Sequence, residues 1–223
     1  TEFEYYINSV NFQSDQALEN PDAHNLEDKR APYSIHRGNL TGIRVTAQLD
    51  FIDNVLLPQN GIFIKGQYEN SINKLGASQN YEFYLAQGTV YKTYHHNTFG
   101  ISGYHHWDVN NTPRYMTTIF AGSQVFAGAK EFQMHGSSLT FIRLDYRHKY
   151  KKDVYFHLMA NWLMNAKSED YNHTAEDIWG FGTGLTFLSP VGPLKLIWSW
   201  GPKNIYINDN RQNLYHFSAG FKF

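Results

Sequence analysis

The stretch from Ile178 to Trp200, I-W-G-F-G-T-G-L-T-F-L-S-P-V-G-P-L-K-L-I-W-S-W, decides the fold. Phe181, Thr183, Leu185 and Phe187 take one set of alternate positions, and Gly180, Gly182, Gly184 and Thr186 take the other. Beyond the break at Ser189-Pro190-Val191-Gly192-Pro193, Leu194, Leu196, Trp198 and Trp200 alternate with Lys195, Ile197 and Ser199. The end of the chain repeats the pattern, with Tyr215, Phe217, Ala219, Phe221 and Phe223 set against His216, Ser218, Gly220 and Lys222. Side chains on a strand point alternately to its two faces, so each run has one bulky apolar face and one small or charged face. A soluble barrel keeps its greasy face inside. Here the order is reversed, which implies a sheet whose outside meets lipid.

Working outward, the whole chain of 223 residues is bounded as one domain, 1–223, with the composition of a β-rich protein. Mean hydropathy is -0.51, yet aromatics reach 17%. That pairing suits a membrane barrel, where half of every strand faces a polar lumen and aromatic girdles mark both interfaces. No run of ~18 apolar residues exists from which a spanning helix could form. Cysteine is absent, which removes disulfide scaffolds and thiolate metal sites. A net charge of -1 gives no reason to expect nucleic acid. No signal peptide opens the chain at Thr1, so the expectation is a mature or trimmed protein.

Ten strand candidates follow one another: 3–12, 40–51, 61–68, 81–94, 99–109, 139–150, 154–164, 179–188, 194–200 and 215–223. In 40–51, Ile43, Val45, Ala47, Leu49 and Phe51 oppose Arg44, Thr46, Gln48 and Asp50. The connections 95–98, 147–153 and 189–193 are short, while 13–35, 69–80, 110–138, 165–178 and 201–214 are long and polar. Short turns at one end and long loops at the other predict an all-β, antiparallel transmembrane barrel with its turns in the periplasm.

Four features resemble the barrel of the outer-membrane protein assembly and two-partner secretion superfamily, the bacterial surface antigen domains. They are closest to the branch in which the barrel follows a patatin-like phospholipase. L-D-F-I-D-N-V-L-L-P-Q-N-G (49–61), with Pro58 and Gly61, resembles a periplasmic turn of that family. F-A-G-S-Q-V-F-A-G (120–128), with Gly122, Ala127 and Gly128, followed by Gly136 and L-T-F-I-R-L-D-Y-R (139–147), resembles its inward-folding loop, here placed at about 110–138. S-P-V-G-P-L-K-L, with Ser189, Pro190, Gly192 and Pro193, resembles a second periplasmic turn. The aromatic ending, with Tyr215, Phe217, Phe221 and Phe223, resembles the signal read by the barrel assembly machinery.

The likeness implies a bacterial outer-membrane location, lipid and the assembly machinery as partners, and no cofactor. It departs in two places. Translocases of the family carry an arginine where Ala127 stands, meeting an acidic element on a neighbouring strand; 156–162 holds no clear copy of that element. Losing both partners avoids stranding a buried charge and favours the patatin-linked branch over an active translocase. Family barrels also have about sixteen strands, within the range of bacterial barrels. The ten here correspond to the last of that set, or else to a short relative that dimerises along its edges.

Catalysis is not expected. The serine elbow G-x-S-x-G of a phospholipase is absent from the chain. His95-His96 and His105-His106 are adjacent pairs, which point to opposite faces and cannot converge on one metal from one strand. Asp108, His105 and His106 are the local candidates if the barrel were a self-contained protease or lipase. Arg143, Asp145, Arg147 and Lys195, with Arg44, are read as lumen charges; Arg143 or Arg147 is the candidate to hold the inward loop through Glu131 or its backbone. The expected work is anchoring, translocating or displaying an attached domain, with an insertase or secretion pore as the alternative.

Overall fold

The computed structural model describes residues 2–10, 38–54, 56–77, 80–110, 125–129, 137–168, 173–190, 192–203 and 211–219. Ten strands lie among them: β1 (Glu2–Val10), β2 (Gly38–Asp50), β3 (Gly61–Ser71), β4 (Tyr81–Tyr94), β5 (Asn97–Asn110), β6 (Ser138–Lys151), β7 (Val154–Ser168), β8 (His173–Ser189), β9 (Gly192–Pro202) and β10 (Arg211–Ala219). They form one sheet in chain order, each strand antiparallel to the next. Among the described residues β1 and β10 make no contact with each other.

Both faces follow from the alternation. On the outer face Ile64, Ile101, Leu144, Leu158, Leu185, Leu196 and Trp198 are exposed. Aromatic side chains frame this band. Trp162 stacks on Trp179, Trp179 on Phe181 and Phe181 on Trp200 toward the long-loop end. Phe99 and Tyr146, with exposed Tyr94 and Tyr150, lie toward the short-turn end. An apolar band between two aromatic girdles is the outer surface of a membrane barrel. Tyr215 and Phe217 on β10 continue it; Phe221 and Phe223 lie outside the described residues.

The turns at one end are tight. His95 adopts φ 55 in the β4–β5 turn, a left-handed conformation that closes the hairpin at His95-His96. Lys152-Asp153 joins β6 to β7. In the β8–β9 turn Ser189 Oγ donates to the Gly192 carbonyl at 2.6 Å, and Gly192 takes φ 110. Pro190 is exposed there and Pro193 buried.

The strands are longer than their alternation indicates. β8 starts at His173, not at residue 179, and β7 runs on to Ser168. Asp177 takes φ 53, and the Met164–Asp177 pair is missing from the β7–β8 ladder, which keeps one register from Leu163↔Ile178 to Asn165↔Glu176. The register shift lies on the other side of β7, between Thr140↔Asn165 and Phe141↔Leu163. At this β6–β7 bulge and the left-handed Asp177 beside it the alternation slips by one position, so Ala175 and Ile178 both turn inward and are buried. A period-two reading stops at such a point, although pairing continues through it. β3 likewise continues to Ser71, β9 extends to Pro202, and β10 begins at Arg211, so the loops expected at 69–80, 165–178 and 201–214 are shorter.

Candidate functional site

The inner face carries the polar and small residues, and cross-strand register groups them into rows. Ser102, Arg143, Asn161 and Gly180 form one row across β5 to β8. Gly100, Asp145, Met159, Gly182 and Ser199 form the next, and Thr98, Arg147, His157, Gly184 and Ile197 the third.

The described tip of the inward loop, Val125 to Ala129, lies across this surface. Asn161 grips it at two points: Oδ1 accepts the Ala127 N–H at 3.0 Å, and Nδ2 donates to the Val125 carbonyl at 3.2 Å. Gln212 Nε2 of β10 donates to the Gly128 carbonyl at 3.1 Å. The strands beneath are cut back to admit the loop. A Cβ on Gly180 would overlap the Ala127 carbonyl, and one on Gly182 would lie 3.2 Å from the Ala127 Cβ. Gly128, at φ 85, packs on the backbone of Gly201. The inward glycines Gly180 and Gly182 therefore make the seat of this loop. Phe126 completes it, buried among Tyr104, Phe141, Leu163 and Ile178.

Sequence reading missed Asn161 because an acidic residue was sought on that strand. An amide serves instead, reading backbone groups rather than an arginine. With Ala127 opposite, the contact is neutral on both sides, so no charge is left buried and unmatched. Gly122, Glu131 and Gly136 lie outside the described residues.

The lumen charges divide in two. Arg143 is bidentate to Asp145, with Nε at 2.8 Å and Nη2 at 2.7 Å, and Nη2 also reaches Met159 Sδ at 3.1 Å. On β2–β4, Arg44 Nε meets Glu69 Oε2 at 2.6 Å, and the Tyr81 hydroxyl donates to Glu69 Oε1 at 2.6 Å. Arg147 does not hold the inward loop. Its Nη2 donates to the Pro58 carbonyl, 89 residues away in the chain.

That bond exists because the β2–β3 turn folds inward beneath the sheet. Asp53 carboxylate oxygens accept the Gln59 N–H at 2.8 Å and the Asn60 N–H at 3.0 Å. Asn54 Oδ1 accepts from Leu56 and Leu57. Thr93 Oγ1 then donates to the Gln59 carbonyl at 2.7 Å, strapping the turn to β4. Leu57 is only 6% exposed. The backbone N–H groups of Gln59 and Asn60 hold the Asp53 carboxyl below its ordinary pKa, the Gln59 bond contributing most. Gly61 follows at φ 134 with its α-carbon against the Phe51 and Ile52 backbone, so only glycine fits.

His106 and Asp108, both inward on β5, are bonded at 2.7 Å. His106 is 0% exposed and packs on Phe83, whereas His105 points outward to Thr140 Oγ1. No cluster of metal-ligating side chains occurs among the described residues.

A single antiparallel sheet, apolar outside, with a loop folded into its concave side, defines an outer-membrane type of β-barrel fold. Among solved structures the chain is similar to the crystal structure of BamA from Haemophilus ducreyi lacking POTRA domains 1–3, with a TM-score of 0.67 and 12% identity. The match covers 83% of this chain and 43% of that one, so the chain spans less than half of its neighbour's length. No family model matches, and no curated protein does.

Proposed function

We propose that the chain is a bacterial outer-membrane barrel of the surface-antigen superfamily that anchors and displays an attached domain, most like the barrel of patatin-linked proteins. The observation that carries this reading is the neutral latch between Asn161 and the Val125–Ala127 backbone. A loop held by amide-to-backbone bonds and seated on glycines is built to stay. Both β1 and β10 have their outer ends of chain, Glu2 and Ala219, on the short-turn side of the sheet. A domain attached before β1 would therefore reside on the periplasmic side before display. The chain's own residues supply no catalysis in this reading; lipid and the assembly machinery are its partners.

An insertase or secretion pore is the second reading, favoured by the likeness to the BamA barrel. One experiment separates them. The chain is expressed behind a signal sequence with a reporter domain fused before Thr1. Anchoring predicts a heat-modifiable band in the outer-membrane fraction with the reporter held at the membrane. A protein recovered soluble overturns both readings; rescue of cells depleted of their own assembly barrel supports the second.

A further inference from the structure

Beside the β2–β3 turn the lumen contains a polar cavity of about 220 Å³. Among the described residues Arg143, Asp145, Arg147, His157 and Lys195 line it, three permanent cations and one carboxylate. That carboxylate is already engaged by Arg143 in a bidentate pair. Arg147 is 9% exposed, and its Nε is buried with no hydrogen-bond partner. Its neighbour directly across the β6–β7 register is His157, whose Nε2 is likewise buried without a partner.

A guanidinium withdrawn from water is costly unless an anion or good acceptors replace the hydration it loses. The Pro58 carbonyl satisfies one Arg147 nitrogen and leaves Nε over. Side chains directly opposite on paired strands stand about 4.5–5.5 Å apart at Cβ, close enough for one group to bridge both. The group that accepts from both nitrogens and pairs with the Arg147 guanidinium is an oxyanion.

We propose that this cavity binds one small oxyanion, a phosphate or carboxylate group, between Arg147 Nε and His157 Nε2, with Lys195 adding positive charge. At roughly 30 Å³ per water the space corresponds to about seven waters, enough for a free hydrated anion and too little for a diacyl lipid. The site depends on the barrel fold alone and is independent of what the barrel carries, so either proposal can fail without the other.

The test is equilibrium dialysis of the detergent-refolded protein against radiolabelled inorganic phosphate, with acetate in parallel. Arg147→Gln and His157→Gln remove the two contacts; Lys92→Gln, on the exposed outer face, removes a charge elsewhere. Folding is followed by heat-modifiable mobility, and if Arg147→Gln does not fold, His157→Gln and Lys195→Gln carry the comparison. Saturable binding near one anion per chain is expected, weakened roughly tenfold or more by the cavity variants and unchanged in Lys92→Gln. Preference for phosphate or for acetate identifies the anion. No saturable binding of either, or equal binding by wild type and the folded cavity variants, overturns the site.

Discussion

Asn161 shows how one side chain determines the state of the lumen. Its amide supplies the two bonds that fix the loop tip, and it is fully buried. Replacing it by alanine leaves a buried N–H and carbonyl without partners, a loss of about 1–3 kcal/mol. Asn161→Ala is therefore expected to lower the urea midpoint in lipid and to speed protease cleavage within 110–138. Gly180→Val should release the same loop by steric overlap, whereas Gly66→Ala, where nothing lies within 4 Å of the added Cβ, should leave cleavage unchanged. Equal cleavage in all three would mean that the loop is held elsewhere. The chemistry of this latch was not legible in the sequence. The glycine face announced free space, but what fills it at Gly180 and Gly182 comes from a loop far away in the chain, and no local pattern encodes the partner.

At the scale of the element, alternation was a sound guide wherever strands are regular. β4 occupies the residues that its pattern marks, Tyr81 to Tyr94. It failed at Met164 and Asp177, where a bulge against β6 and a left-handed residue change the face assignment without ending the hydrogen-bonded ladder. The face assignment of β9 is open to direct trial. Leu196 stands on the outer face at 54% exposure, so Leu196→Arg should cost about 2–4 kcal/mol if it lies near the bilayer midplane, read from refolding into lipid vesicles. The β2–β3 turn responds to acid. Asp53 is held ionised by two backbone N–H groups, so its pKa in the folded turn lies below the ordinary 3.8. Its stabilisation is complete above that value and is lost as pH falls through the lower folded one. Wild-type cleavage within 53–60 should rise only under strong acid, while Asp53→Asn should be cut rapidly even near neutral pH. The inward course of this turn could not be foreseen, since Arg147 is 89 residues from the carbonyl it binds.

At the scale of the molecule, the two ends of the sheet differ in construction. One end carries the tight turns at His95-His96, Lys152-Asp153 and 190–192, together with the inward β2–β3 turn. The other carries the connections from β1 to β2, β3 to β4, β5 to β6, β7 to β8 and β9 to β10. The lumen is filled from both sides, by the loop tip at one and by Leu57 and Pro58 at the other, and Leu57 and Pro58 also wall the small charged cavity. An open edge at β10 is costly in hydrocarbon because each unpaired backbone group lacks water, so in a bilayer that edge must find a strand. Orientation can be read without such a partner. The chain has no cysteine, so one introduced thiol is the only thiol present. Lys203→Cys, exposed beyond the end of β9, should react with a membrane-impermeant maleimide in intact cells. Lys152→Cys, in the β6–β7 turn, should react only after the outer membrane is permeabilised. Reversed labelling would turn the barrel over in the membrane, placing the latched loop on the periplasmic side and any domain joined before β1 outside from the start. Labelling of both sites in intact cells would remove the membrane from the account altogether.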